Sequence, residues 1–258
     1  MSPRSAIVIT GASRGLGAAL ARGFAGPDVE MLLIGRRESD LQVTASAVRQ
    51  AGGRASVAAI DVTDRDAMAN VLTDFDRAHP VTLLIANAGV TAGVTENGME
   101  TPGDARRVLQ TNMDGMLNTL EPVLPQMLAR GDGQVALVGS IAALYPHPDQ
   151  PVYSATKSAI RAYVTAMAPK LAAQGVAMSV ICPGFVDTPM AAGYDGKKLW
   201  MISADTAAQK IRRGLARRQR YISFPIPLLL LVRMNSLLPQ AIRDRITRLF
   251  RAEITGPP

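Results

Sequence analysis

Short, nearly continuous apolar runs alternate with helix-length segments from residue 6 to about residue 224. Ala6–Thr10, Met31–Gly35, Ala55–Ile60, Val81–Ala86, Val135–Val138, Val176–Ile181 and Tyr221–Phe224 read as strands. Gly15–Ala25, a segment capped by Ser39 and running to Ala51, Asp64–Ala78 and Val152–Ala173 read as helices, the second stopped by Gly52-Gly53. A longer helix is expected from near Asp104 to Ala129, bent or interrupted by Pro122 and Pro125. Strands with no polar face must be covered on both sides. The alternation therefore predicts an α/β fold: a doubly wound parallel sheet of about seven strands, helices on both faces and right-handed crossovers.

A chain of 258 residues with 48% apolar content can build a large core, and residues 1–258 read as a single domain. The segment after Met1 has no long apolar stretch of the export type, and one cysteine, Cys182, forms no internal disulfide. Both point to a cytoplasmic location. His79 and His147 are far apart and lack cysteine company, so no metal site is expected. The net charge of +7 is concentrated late. Residues 197–253 hold 13 Lys/Arg against 3 Asp/Glu. Basic charge of this kind fits an anionic partner or simply a solvated surface.

The first strand ends in Thr10-Gly11-Ala12-Ser13-Arg14-Gly15-Leu16-Gly17 and a helix follows. Glycines there permit a tight turn and close approach of backbone to a pyrophosphate, and the helix start offers free N–H groups. Glycine spacing alone also fits an ordinary strand-to-helix turn. After the second strand stands Gly35-Arg36-Arg37, with no carboxylate to meet an adenosine ribose. Arg36, with Arg14 from the turn, can instead bind a 2′-phosphate, which favours NADP(H). The alternative is that both arginines are solvated loop residues.

Tyr153 and Lys157 are four residues apart on one helix face. A free phenol, with a pKa near ~10, is a weak base at neutral pH. A neighbouring ammonium is expected to lower it, so that Tyr153 can act as general acid/base. Ser140 ends the fifth strand, where its hydroxyl can polarise a substrate oxygen or serve only in a turn.

Together these residues resemble the short-chain dehydrogenase/reductase family, over about residues 5–190, with a Rossmann-like fold. Thr10-Gly11-x-x-x-Gly15-x-Gly17 matches the family's cofactor turn, Asp61-Val62 its adenine-contacting segment, and Asn87-Ala88-Gly89 the turn after the fourth strand. Asn112, Ser140, Tyr153 and Lys157 match its catalytic set, and Pro183-Gly184-Phe185-Val186-Asp187-Thr188 the segment that holds the nicotinamide. The resemblance implies that Lys157 binds the nicotinamide ribose and tunes Tyr153. It further implies that Tyr153 passes the proton, Ser140 orients the carbonyl, Asn112 holds a relay water, and Val186 and Thr188 hold the carboxamide. Ala86 and Gly139 depart from the family's usual asparagine and serine. A homodimer or homotetramer acting on a small-molecule carbonyl or alcohol is the implied assembly.

By the same resemblance residues 190–203 form a substrate lid. They hold Tyr194, Lys197, Lys198, Leu199, Trp200 and Met201, and an aromatic and Met-rich lid suits a bulky apolar substrate, unless Trp200 packs onto the core. Residues 225–258 form an apolar and basic extension. Pro225–Val232 is too short to span a bilayer. Pro239–Ala252 sets Ile242, Ile246, Leu249 and Phe250 among Arg243, Arg245, Arg248 and Arg251. That pattern fits peripheral contact with anionic membrane through 225–252, a subunit interface, or a cover for the sheet. Nucleic-acid binding has only charge in its favour and is not expected. The remaining alternative is a non-catalytic NADP(H)-binding regulatory protein on the same fold.

Overall fold

A computed structural model describes residues 5–248 and 253–254. Met1–Arg4 and, from the basic amphipathic segment, Leu249–Ala252 lie outside the described residues. The chain runs β1 (Ser5–Thr10), α1 (Gly15–Phe24), β2 (Val29–Gly35), α2 (Glu38–Gln50), β3 (Arg54–Ala59), α3 (Arg65–Ala78) and β4 (Val81–Ala86). Then come α4 (Pro102–Leu109), a π-helical turn (Gln110–Asp114), α5 (Gly115–Leu120), α6 (Leu124–Arg130), β5 (Gly133–Val138), α7 (Pro151–Ala172) and β6 (Val176–Pro183). Short elements follow: β7 (Val186–Asp187), α8 (Pro189–Ala192), β8 (Tyr194–Asp195) and β9 (Ile202–Ser203). The described chain closes with α9 (Ala204–Ala216), β10 (Tyr221–Phe224), α10 (Ile226–Ser236), α11 (Gln240–Arg248) and β11 (Glu253–Ile254).

Seven strands form one parallel sheet in the order β10-β6-β5-β4-β1-β2-β3. Strand β1 shows why both faces are covered. Ala6 and Val8 enter one core layer with Leu84, Leu137, Val180, Met68 and Leu72, against α3, α5 and α7. Ile7 and Ile9 enter the other with Ile85, Ile181, Leu20, Leu41 and Ile211, against α1, α2 and α9. Truncating any of the fully buried large members, such as Leu84, to alanine would cost ~2–5 kcal/mol. From β1 the chain builds outward to β3, then returns to β4 on the other side. The reversal leaves a crevice beyond the carboxyl ends of β1 and β4, where ligands bind in open parallel sheets.

Two expected boundaries differ. Helix α2 begins at Glu38, and its N-cap is Arg37, not Ser39. Glu38 and Asp40 in the first turn favour the helix dipole, and Arg37 Nε binds Asp40 Oδ2 at 2.7 Å, so no hydroxyl cap is required. The helix expected from Asp104 to Ala129 is three helices with a π-helical turn between α4 and α5. Pro125 sits in the first turn of α6, where its missing N–H costs nothing.

The segment after β6 is tied at two points. Val186 and Asp187 pair with Ile202 and Ser203, and Tyr194 and Asp195 pair with Ile254 and Glu253. The apolar run after Pro225 is helix α10, whose Leu228 and Val232 are buried while Ile226, Leu230, Met234 and Leu237 are exposed. Among the described residues no helix is long and apolar enough to cross a membrane.

Candidate active site

The crevice is a cavity of about 900 Å³. At its floor the ends of β1 and β4 are stitched together. Thr10 Oγ1 accepts hydrogen bonds from the N–H groups of Asn87 and Ala88, both at 3.1 Å. Asn87 Nδ2 donates to the carbonyls of Thr10 (2.9 Å) and Gly11 (3.2 Å). The turn between β1 and α1 then doubles back so tightly that a Cβ on Gly17 would lie 2.2 Å from the Gly11 carbonyl oxygen. No other residue fits there. Helix α1 starts with no side-chain cap and no acid in its first turn. Its first N–H groups and positive dipole end are thus left for an anionic ligand.

The donor set beside this turn suits a dinucleotide phosphate. A Cβ on Gly35 would fall 2.4 Å from Ser13 Oγ, so glycine there makes room for the hydroxyl. Arg36 and Arg37 are both exposed, and they differ in their engagements. Both line the cavity, but Arg37 is held by Asp40, whereas Arg36 pairs with no carboxylate among the described residues. Asp61 Oδ1 accepts from the Thr63 N–H and hydroxyl at 3.0 and 2.9 Å, which fixes the Asp61-Val62 turn at the cavity edge.

Facing the cradle is the polar cluster of β5 and α7. Ser140 follows β5 and caps a short 3-10 turn, its Oγ accepting from the Ala142 N–H at 3.1 Å. Its hydroxyl also hydrogen-bonds Tyr153, in the first turn of α7. Lys157, one turn on, is buried; its Nζ donates to the Val138 carbonyl at 2.8 Å and lies 5.6 Å from the Tyr153 ring centroid. Burial holds the Lys157 ammonium down to about 8. Burial also pushes the Tyr153 phenol up, with the Ser140 bond acting against it. The expectation that the ammonium lowers the phenol is not met in this structure, because desolvation by burial outweighs the lowering by the Ser140 bond.

Gly11, Ser13, Arg14, Gly15, Leu16, Gly17, Arg36, Asp61, Val62, Asn87, Ala88, Gly89, Ser140, Tyr153, Lys157, Pro183, Gly184, Val186 and Thr188 all line this one cavity. Asn112 does not. It is buried in the π-helical turn, where Oδ1 accepts from the Val90 N–H at 2.8 Å and Nδ2 donates to the Val90 carbonyl (3.0 Å) and to Thr156 Oγ1 (3.1 Å). Both amide hydrogens are spent, so the side chain has no donor left for a relay water. Thr156 Oγ1 in turn donates to the Tyr153 carbonyl at 2.7 Å.

A profile of the short chain dehydrogenase family matches residues 5–198. The chain belongs to this family. The short-chain dehydrogenase is 33% identical to an uncharacterised oxidoreductase of Myxococcus xanthus, over 97% of the chain and 99% of the relative. It is 34% identical to a 3-oxoacyl-(acyl-carrier-protein) reductase of Aggregatibacter actinomycetemcomitans, over 70% of the chain and 76% of the relative. Among solved structures it resembles a 3-oxoacyl-(acyl-carrier-protein) reductase of Agrobacterium tumefaciens with NADP bound. The TM-score is 0.66 and the identity 31%, covering 71% of each chain. It also resembles a short chain dehydrogenase of Mycobacterium paratuberculosis bound to NAD, with TM-score 0.76 and identity 25%, covering 86% of this chain and 95% of the other. Relatives of this dehydrogenase therefore bind nicotinamide dinucleotides of both kinds. It is an oxidoreductase of the class acting on CH–OH and C=O groups.

Sequence reasoning missed Thr156, although a polar residue between Tyr153 and Lys157 was a usable signal. It also missed the pairs that shape the far wall: Gln150 Nε2 donating to Thr91 Oγ1 at 2.8 Å, and Tyr194 OH against His147 Nε2 at 3.3 Å. Within residues 190–203, Tyr194, Lys197 and Leu199 line the cavity. Trp200 does neither thing expected of it: it is 49% exposed and lies off the cavity wall.

Proposed function

We propose that this dehydrogenase interconverts a carbonyl and a secondary alcohol with NADP(H), using Tyr153 as general acid and base. The observation that carries the reading is the contact of Tyr153 with Ser140, with Lys157 Nζ 5.6 Å from the ring, across one cavity from the glycine turn. Gly11–Gly17, the start of α1 and Arg36 would hold the dinucleotide phosphates, and Asp61-Val62 its adenine end. Pro183-Gly184, Val186 and Thr188 would hold the nicotinamide end. When bound, the nicotinamide supplies or accepts the hydride.

The chain's own residues handle the proton and the placement. Burial keeps the phenol protonated at neutral pH, which suits a proton donor to a carbonyl oxygen. Ser140 presents its hydroxyl beside the phenol, where it can share a hydrogen bond with the same oxygen. Lys157, tied to Val138, holds positive charge behind the ring. Asn112 and Thr156 position the machinery by joining the Val90 loop, the π-helical turn and the Tyr153 backbone. Residues 190–203 act as the substrate lid, and Cys182 lies buried beneath the site without a role in the proposed steps.

The test is a panel of ketones and alcohols followed by NADPH absorbance, with Tyr153→Phe beside the parent. Losing the proton donor should cost roughly 10²–10⁴ in turnover while NADPH binding persists. Equal turnover by both proteins would sink the assignment. No turnover of any compound with either cofactor would favour a regulatory, cofactor-binding protein.

A second reading concerns the surface. Ile226, Leu230, Met234 and Leu237 form an exposed apolar row, and a basic segment holding the exposed Arg245 follows it in sequence, which favours contact with anionic membrane over a bare solvent face. Liposome flotation of the full chain against one ending at Phe224 tests it. Equal, negligible flotation by both would remove membrane contact, and a mass of two or four chains lost on truncation would assign the face to another copy.

A further inference from the structure

Helix α10 lies beyond residues 5–198, the stretch that carries the family match. It still forms a wall of the cavity that holds Ser140 and Tyr153, through Leu228, Leu231, Val232 and Met234, with Leu238 just past its end. The wall starts at the segment assigned above to the nicotinamide end. Leu228 packs so closely on Gly184 that a Cβ on that glycine would lie 2.8 Å from Leu228 Cδ2. Leu228 and Val232 are buried. Leu231 is 43%, Met234 67% and Leu238 37% exposed, and all three line the cavity. The wall thus runs from a closed inner part to an open apolar rim that an entering ligand can touch.

Leu228, Leu231 and Val232 share a helix face at i, i+3 and i+4, and Met234 flanks it. Along the helix axis, Leu228 to Met234 covers ~9 Å at about 1.5 Å per residue. A strip that is long, narrow and uncharged suits an extended hydrocarbon chain better than a compact ring. Phe185 and Tyr194, with ring centroids 5.0 Å apart, and Leu199 add apolar surface to the same cavity. Among the described residues Asp61, at the proposed adenine edge, is the one carboxylate that lines it. Nothing beside the adenine site would therefore hold a cationic substrate.

Resting on the reading of this cavity as the site of carbonyl reduction, we propose that the substrate is a ketone or secondary alcohol bearing an unbranched hydrocarbon chain. Leu228, Leu231, Val232 and Met234 select it by chain length. Each methylene laid on this wall leaves water and also covers the exposed Leu231 and Met234 side chains. Full burial of one methylene is worth about fourfold in affinity, and less at the rim, where the chain stays half wet. The chain lies along α10 while its carbonyl end reaches Ser140 and Tyr153.

The test uses straight-chain methyl ketones from butanone to decan-2-one, beside cyclohexanone and a fused-ring decalone. Turnover with NADPH and with NADH, and calorimetric binding to the cofactor-saturated full chain, are both measured. In the parent, kcat/KM should rise by about two- to fourfold per methylene, chiefly through KM, and a chain ketone should exceed the ring ketone of equal carbon number. Leu231→Gln, at the rim where a polar side chain costs little stability, should at least halve that gain over the longest members. Leu230→Gln, on the same helix but off the cavity wall, should keep the parent's gain. A flat series, a preference for the rings, or a Leu231→Gln protein with the parent's gain overturns the proposal, while turnover in those cases leaves the catalytic reading standing. Equal loss of the gain in Leu230→Gln also overturns it, since the cavity face of α10 would then not be the selector. Binding that grows with chain length without turnover keeps the wall and sinks the catalytic reading. Neither binding nor turnover of any member overturns both.

Discussion

The Lys157 ammonium lies 5.6 Å from the centroid of the Tyr153 ring, but its hydrogen bond goes to the Val138 carbonyl at 2.8 Å. The lysine is thus fastened to the end of β5, with its charge over the face of the phenol ring. The sheet, by way of β5, holds the charge in place, while α7 carries both side chains.

This buried charge has a cost in stability whose sign can be worked out. The Lys157 pKa in the fold, about 8, lies below its ordinary 10.5. Between these values the unfolded chain holds more protons, so folding stability rises with pH from about 8 to 10.5. Below pH 8 the cost is complete. Lys157→Met should therefore raise the midpoint of the cofactor-free protein at pH 7 while abolishing turnover. A gain on the order of 1 kcal/mol, or ~2–4 °C, allows for the Val138 carbonyl left bare. The gain should shrink as pH rises toward 10.5. Melting curves across that range check it, and a variant less stable than the parent at pH 7 would refute the sign.

Arg36 and Arg37 are adjacent and exposed, yet they should behave differently. Arg36→Ala should weaken NADPH by about tenfold or more, through loss of charge-assisted bonds to the 2′-phosphate, and leave NADH little changed. Arg37→Ala should disturb both cofactors weakly, because that side chain is held by Asp40. Fluorescence titration of the two cofactors against both variants distinguishes them. Equal loss of NADH and NADPH in Arg36→Ala would remove it from phosphate recognition.

Gly17→Ala should abolish cofactor binding without unfolding the sheet. Its Cβ would have to enter a space 2.2 Å from the Gly11 oxygen, so the turn must open. Calorimetry should show no NADPH binding alongside a far-ultraviolet spectrum like the parent's.

Thr156→Val removes the hydroxyl that accepts from Asn112 and donates to the Tyr153 carbonyl. One buried Asn112 N–H is left unpaired, at a cost of ~1–3 kcal/mol in stability. Turnover should fall while NADPH affinity holds, since Thr156 is absent from the cavity wall. Denaturant melts and steady-state kinetics provide the two readouts, and Thr156→Ser should rescue both in part.

Much of this was legible in the residues. Strands buried on both faces announce themselves as apolar runs, and all seven strands of the sheet stand where those runs are. The glycine turn, Ser140, Tyr153 and Lys157 were legible because close approach and shared helix faces depend on local spacing. The π-helical turn at Asn112 was not, since periodicity does not show which carbonyl an N–H will choose. Ser39 was misread as a cap because first-turn acids made a hydroxyl unnecessary.

The turn at Gln110–Asp114 carries a further consequence for the length of the chain. An α-helix advances by 3.6 residues per turn, so each residue rotates the chain by about 100°. Deleting one residue here would restore regular geometry and make a better helix on its own terms. It would also swing everything downstream, α5 included, out of register with the sheet. The number of residues in this stretch therefore matters to the fold as much as their identity.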